Sequence, residues 1–341
     1  MTIQSIYKKE VKNPLLQEGK PYNVFPLKYN DIMDNYRKQQ SRFWTDMEVP
    51  LDKDHEQYIK LSDDKKLLIK GILAFFANFD VVVCDNLVYN LCTEVKCFEA
   101  RAAYEYQTMM ERNHAIMYSL LIDAYFKESE LCELENGEKM SVRKMLYNSI
   151  NTFPVLIKMK KWAQGWMTNG SFEEKLLGAM CIEWIIFSGA FAVIYKFKED
   201  GILPGLTMAN ELISVDEGLH ADLGAIIYSY GSQLTDNIVF EMVNTAVELS
   251  DELYEYFMPS KLIGMSTKKM AEYIRYIANR LLVGIKYPKL YGNVKNPFDF
   301  MDKISQQQKT NFFEHRVTEY QRAQTGTTTF TERMKGVLSE F

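Results

Sequence analysis

The chain reads as all-α, a bundle of helices longer than average, and two features of the sequence predict this. Proline is absent between Pro50 and Pro154 and again between Pro204 and Pro259. Because proline breaks helix interiors, long helices can run there. Apolar residues recur at helical spacing through both windows, whereas a period-two strand pattern is nowhere convincing. Helices of such length favour packing as a bundle.

The elements follow in order. Pro14, Pro21, Pro26 and Pro50 punctuate the first fifty residues, an extended N-terminal arm (about residues 1–28) and one short helix from about Tyr29 to Gln40. Ser62-Asp63-Asp64 supplies a cap and an acidic first turn for a helix running to about Asn90. Glu94 to Lys127 is a second long helix, and Glu133 to Met140, containing Asn136-Gly137, is a turn. Helices at Val142–Asn151 and Pro154–Thr168 come next, the latter ended by Asn169-Gly170. Ser171-Phe172-Glu173-Glu174 is a capping box opening a helix that Gly201 and Pro204 stop. Leu206–Tyr230, Asp236–Met258 and Thr267–Val283 complete the set. One domain is expected over residues 1–321, followed by a polar, Thr-rich tail at 322–341 whose composition suits a flexible segment that orders on a partner.

Of the 341 residues, 25% are charged and 47% hydrophobic, which suits a soluble protein able to bury a large core. A net charge of -5 gives no electrostatic reason to expect nucleic acid or an anionic membrane as partner. The N-terminal MTIQSIYKKEVKN has no apolar h-region and is not Arg-rich, so no signal or transit peptide is read there. Cys84, Cys92, Cys97, Cys132 and Cys181 form no CxxC pair, and they suit buried thiols in a reducing cytosol.

Leu176 to Tyr195, LLGAMCIEWIIFSGAFAVIY, holds a single carboxylate, Glu183, in an almost unbroken apolar run. Such a run is long enough to span a membrane, although a mid-span Glu is expensive there. Alternatively it is a buried core helix whose Glu meets a cation. The histidines decide between these readings. Only His55, His114, His220 and His315 are present, and two of them close Glu-x-x-His motifs, Glu111-Arg-Asn-His114 and Glu217-Gly-Leu-His220. Residues three apart share a helix face, so each motif offers a carboxylate and an imidazole to one point. Asp80 lies 31 residues before Glu111 and Glu183 lies 34 before Glu217, a near internal repeat. One carboxylate from each of two helices plus Glu-x-x-His from each of two others is the known ligand pattern of ferritin-like di-iron and di-manganese bundles, here with Asp80 in place of one Glu. Carboxylates and imidazoles without thiolate suit iron or manganese rather than zinc or an iron–sulfur cluster. Two divalent ions would also neutralise four buried acids.

At these residues the chain resembles the radical-generating small (beta) subunit of class I ribonucleotide reductase. The likeness runs from about Phe43 to Gln321 through FW at Phe43-Trp44, LAFFANFD, ERNHAIMYSLLID, EWIIFSGAF and PGLTMANELISVDEGLH. The resemblance implies a ferritin-like homodimer with two iron (alternatively manganese) ions per chain. Asp80, Glu111 and His114 would bind one metal, and Glu183, Glu217 and His220 the other. Tyr118, four residues after His114 and about 6 Å along the helix axis, matches the tyrosyl radical position; by itself it would read as a packed core tyrosine. Phe187, Phe191 and Ile213 match the apolar wall around that radical. Trp44, Asp216 and Tyr320 match a redox relay to the large (alpha) subunit, with Asp216 supporting His114. Glu48 and Glu314 match acids that assist proton transfer at the subunit interface. The tail ending in Phe341 would dock on the large subunit. Val215 departs from the family, many members carrying Arg there.

The resemblance thus implies a cytoplasmic ribonucleoside-diphosphate reductase small subunit, active only with its large subunit, that passes a radical for reduction of ribonucleotides to deoxyribonucleotides. No Gly-rich phosphate loop of the usual kinds is present. Another ferritin-like di-metal oxidase or desaturase would share the ligands without needing Trp44, Tyr320 and the tail together. Ferritin-like iron storage fits less well with a chain this long.

Overall fold

Twelve α-helical segments are found among the residues described in the computed structural model, which are 13–17, 24–133, 137, 139–258 and 265–301. They are α1 (Asn30–Gln40), α2 (Asp54–Tyr58), α3 (Asp63–Asn86), α4 (Cys92–Glu94), α5 (Phe98–Tyr125), α6 (Val142–Tyr147), α7 (Pro154–Asn169), α8 (Phe172–Met180), α9 (Phe187–Glu199), α10 (Pro204–Tyr230), α11 (Asp236–Phe257) and α12 (Thr267–Gly284). The chain divides into two units, Met1–Pro297 and Phe298–Phe341. The domain border expected after Gln321 lies outside the described residues.

The expected starts of α3, α8 and α12 are where the local chemistry puts them. Ser62 Oγ accepts the Lys65 N–H at the head of α3, and Ser266 Oγ accepts the Lys269 N–H at the head of α12. At α8 the capping box is complete: the Glu174 N–H donates to Ser171 Oγ at 3.3 Å, and the Ser171 N–H donates to Glu174 Oε2 at 2.8 Å. Gly201, at φ +68°, follows the end of α9.

Three differences from the sequence reading are instructive. The stretch read as a turn at Glu133–Met140 is flanked by a short antiparallel hairpin, β1 (Leu131–Glu133) with β2 (Lys139–Ser141), in the register Cys132 opposite Met140. Three-residue strands are too short to show a period of two. The helix expected over Val142–Asn151 stops at Tyr147 and finishes as a 3₁₀ turn at Ser149–Asn151. Both long apolar helices contain π-helical segments, Leu87–Leu91 after α3 and Cys181–Ile186 between α8 and α9. The second contains Glu183.

Four rods make the core: α3, α5, the continuous α8–α9 rod and α10. Phe76 stacks on Tyr118 while Asn78 lies further along α3, and α10 packs on both α5 and the α8–α9 rod. Pairs such as His220 with Glu111 and Gly205 with the Asp54–Tyr125 network show α10 running antiparallel to α5. Around them, α1 covers α5 and α10, and α11 with α12 covers the π-helical turn. Asp63–Glu94 and Phe172–Glu199 are long and apolar enough to cross a membrane, yet 72% and 89% of their most apolar windows are buried inside the fold. Their hydrophobicity is that of core helices. All five cysteines are free, with Cys84 and Cys181 buried.

Replacing Ser171 by Ala removes one partner of the capping box. The expected loss is about 1 kcal/mol of unfolding free energy, read by chemical denaturation of the metal-free protein.

Candidate metal centre

Helical periodicity brings the site together. On α5, Gln107, Glu111, His114 and Tyr118 recur at spacings of three and four residues and are all buried. On α10, Ile213, Asp216, Glu217 and His220 do the same. Asp80 enters from α3 and Glu183 from the π-helical turn, at 1% and 5% exposure. All six sequence-selected ligand candidates are therefore core residues.

Their polar atoms converge. One ligand atom each from Glu111, Glu183, Glu217 and His220 lies within 4.8 Å of every other. His220 Nδ1 is 3.0 Å from Glu111 Oε1 and 3.4 Å from Glu217 Oε2. His114 Nδ1 is 3.0 Å from Glu217 Oε1 and 3.5 Å from Glu111 Oε2. Glu111 and Glu217 thus each sit between both imidazoles, where the sequence had paired each with one. None of these approaches has hydrogen-bond alignment: both oxygens of Asp80, Glu111 and Glu217, His114 Nδ1 and both ring nitrogens of His220 have no hydrogen-bond partner.

Buried polar atoms without partners are rare and costly. Here so many lie side by side that one bound cation could satisfy several of them at once. The donor set of carboxylate oxygens and imidazole nitrogens, without sulfur, fits iron or manganese.

Second partners fix the ligands. Asp216 Oδ2 accepts from His114 Nε2 at 3.0 Å, which orients the ring with Nδ1 toward the cluster. The same oxygen accepts the Trp44 indole N–H at 2.8 Å, and the indole stacks on His114 with the rings 15° apart. Asn113 holds the Trp44 segment, donating to the Trp44 carbonyl and accepting the Asp46 N–H. Gln107 Nε2 donates to Glu183 Oε1 at 2.9 Å. Gln107 and Asn113 escaped the sequence reading, although Gln107 lies one turn before Glu111, a signal available to it. Glu48 is exposed and accepts from the Thr45 N–H and hydroxyl. Tyr320 and Glu314 lie outside the described residues. Val215 is partly buried beside Asp216.

Tyr118 is fully buried and its hydroxyl has no hydrogen-bond partner. Phe76 stacks on it at 4.5 Å and 4°, and Phe76 in turn meets Phe187 and Phe191 at 5.2 and 5.1 Å. Phe187, Phe191 and Ile213 are buried as expected, and Phe76, which the sequence reading did not single out, is the ring in direct contact. Burial, with Asp80 and Glu217 adding to it, pushes the Tyr118 phenol well above its usual range, so it is a neutral phenol at rest.

Protons on the cluster follow the same electrostatics. Burial, reinforced by neighbouring carboxylates, pushes Asp80 and Glu183 well above the ordinary carboxylate range. Burial alone would lower both imidazoles, but the carboxylates around them, Asp216 foremost for His114 and Glu111 for His220, hold both well above the usual value. Burial would likewise raise Glu111, and the two histidines overcome it, bringing it to about 2.

Fold and site define a ferritin-like helical protein with a buried carboxylate–imidazole centre. The family model for the ribonucleotide reductase small chain matches residues 21–297. The ribonucleoside-diphosphate reductase subunit M2 of Danio rerio is 42% identical over 329 residues, covering 94% of this chain and 82% of its own. The ribonucleoside-diphosphate reductase small chain of Vaccinia virus (strain Ankara) is 42% identical over 301 residues, covering 88% and 91%. Among solved structures, the ribonucleotide reductase Rnr4 homodimer from Saccharomyces cerevisiae superimposes with a TM-score of 0.71 at 30% identity, covering 90% of this chain and 92% of that one. The chain belongs to the ribonucleotide reductase small-chain family, and its enzyme is ribonucleoside-diphosphate reductase, an oxidoreductase.

Groups with raised folded-state pKa hold protons that the unfolded chain releases, so metal-free protein loses stability as pH rises above the unfolded pKa values of about 4 for the acids and about 6.5 for the histidines. Metal displaces those protons and binds more tightly as pH rises. The gap in Tm between Mn(II)-loaded and metal-free protein is therefore expected to widen from about pH 6 to about pH 8; a gap that narrows contradicts the assignment.

Proposed function

We propose that this chain is the radical-generating small subunit, holding a pair of iron or manganese ions and storing an oxidising equivalent as a tyrosyl radical on Tyr118. The observation that carries the reading is the array of converging, unpartnered carboxylate and imidazole atoms beside a sealed phenol. Asp80, Glu111, His114, Glu183, Glu217 and His220 would hold the ions. Bound there, the metals would supply the one-electron oxidising power.

The other roles fall to the protein. Phe76, Phe187, Phe191 and Ile213 exclude water and reductants from Tyr118, which would otherwise be quenched. Trp44, Asp216 and His114 form a hydrogen-bonded line outward from the centre. If Trp44 gives up an electron to the oxidised Tyr118, its Nε1 proton can pass to Asp216 Oδ2, and that proton returns when an electron from Tyr320, the next residue of the relay, reduces the indole. Tyr320 would continue the relay into the large subunit, with Glu48 and Glu314 managing protons there and the tail at 322–341 docking on it. The large subunit would use the radical to reduce ribonucleotides.

We infer a homodimer as the working form. Val81 on α3 and Met109, Ile116 and Leu120 on α5 are between 37% and 50% exposed, and the α5 residues share one helix face. A second copy of the chain is the cover we assign to this apolar surface. The protein is read as cytoplasmic.

Two experiments check the reading. Electron paramagnetic resonance after metal loading under oxygen should give a tyrosyl signal that Tyr118→Phe abolishes while metal content is unchanged; a signal that survives assigns the radical elsewhere. For the assembly, the double variant Met109→Glu, Ile116→Glu should run as a monomer in light scattering where the parent runs as a dimer.

A further inference from the structure

We propose that α2 is a register brace for the centre, with the Asp54 carboxylate as the positioning residue that locks the start of α10 to the end of α5. This rests on the metal-centre reading and extends it to residues far from the cluster.

The need for a brace comes from helix geometry. Glu-x-x-His motifs on α5 and α10 must meet face to face. Sliding one helix by a single residue moves its ligands by about 1.5 Å and turns them by about 100°. Metal–ligand distances tolerate only about 0.2 Å. At the centre the six carboxylate and imidazole side chains make no aligned hydrogen bonds with one another, and the directional link between α5 and α10 there is the single bond from His114 Nε2 to Asp216 Oδ2. One such link acts as a pivot, so a second fixed point further along the two helices is what sets their register.

The head of α10 has no cap of its own. Its N-cap is Leu203, which offers no side-chain acceptor and sits in the left-handed region at φ 54°, a strained conformation for a branched apolar residue. The orphan N–H groups that every helix start leaves are satisfied by a segment about 150 residues away. Asp54 Oδ1 accepts the Gly205 N–H at 2.8 Å and Oδ2 accepts the Leu206 N–H at 2.8 Å. Gln57 Oε1 accepts the Leu203 N–H at 2.6 Å. Gly205 permits the approach, since a Cβ there would lie 2.7 Å from both Leu51 Cδ2 and the Pro50 carbonyl oxygen.

The other side of α2 grips α5. Asp54 Oδ2 also accepts the Tyr125 hydroxyl at 2.7 Å, at the last residue of α5. Tyr58 stacks on Tyr125 with centroids 4.9 Å apart, and His55 Nδ1 donates to the Ala124 carbonyl at 2.9 Å. One fully buried carboxylate therefore joins the two helices that each carry a Glu-x-x-His motif. From it, Glu217 lies about three turns along α10 and Glu111 about four turns back along α5. Both rods are stiff over that length, so a fixed end sets the register at the centre.

The test uses the full chain as Asp54→Asn and, as a milder variant, Gln57→Ala, with Asp251→Asn as a control that weakens the α11–α12 ion pair with Arg275. Mn(II) affinity is measured from the free-ion paramagnetic resonance signal at a temperature where circular dichroism shows every variant folded. Asp54→Asn is expected to bind Mn(II) about tenfold more weakly, Gln57→Ala less so, and the control like the parent. Hydrogen exchange of the metal-free chains gives a second readout independent of metal. In Asp54→Asn, faster exchange should extend from 203–207 through 217–220. Unchanged Mn(II) affinity together with deprotection confined to 203–207 overturns the brace and leaves Asp54 a local cap. A parent chain that binds no Mn(II) overturns the metal-centre reading itself, and the brace with it.

Discussion

Four buried carboxylates and two buried imidazoles crowded into the middle of one bundle are the constraint on which the rest of this structure depends. Each acid taken from water loses its hydration, and each repels the other three. Among the described residues no lysine or arginine contacts Asp80, Glu111, Glu183 or Glu217, so relief there comes from the two histidines, from protons, or from metal. The protein is consequently committed to rigid surroundings. A loose bundle would let water in and the acids drift apart, and the convergent geometry would be lost.

Rigidity is built in layers around that point. Nearest are single hydrogen bonds that aim ligands: Asp216 on His114, and Gln107 on Glu183. Beyond them is an apolar jacket, with Phe75, Phe76, Phe79 and Phe187 in mutual contact and fully buried. The jacket serves electrostatics as well as packing, since dry, low-dielectric walls strengthen every charge interaction inside them. It also isolates Tyr118, whose hydroxyl meets no acceptor. On the opposite flank the arrangement is polar and directional, Trp44 to Asp216 to His114, which suits controlled exchange rather than isolation. An isolating apolar face and a directional polar face thus lie on different sides of the same centre.

The π-helical turn at Cys181–Ile186 reconciles two demands on one helix. Glu183 must face the acids on α5 and α10, while Phe187 and Phe191 must face the aromatic cluster. A regular helix places residues at fixed angular steps, and a single wide turn adjusts the angle between the ligand and the wall that follows it. Comparable π-turns recur at functional sites in helical proteins for this reason, because they alter direction without breaking the rod.

By itself the sequence determined the helical class, the order of the rods and which carboxylates and imidazoles share a helix face. Proline spacing, capping residues and three-residue recurrence act locally, and they survive in any reading of the chain. Glu111 with His114 and Glu217 with His220 were legible because a helix fixes which residues share a face. Tertiary structure decided what local rules cannot express. Sharing of Glu111 and Glu217 between both imidazoles depends on the antiparallel register of α5 and α10, which no spacing within either helix encodes. Phe76 against Tyr118, Gln107 on Glu183 and the π-turn under Glu183 arise from contacts between rods. Capping of α10 by Asp54 shows the same limit: a helix that lacks a cap in its own sequence was completed by a carboxylate about 150 residues away, since buried N–H groups require an acceptor and take it from whichever part of the fold brings one near.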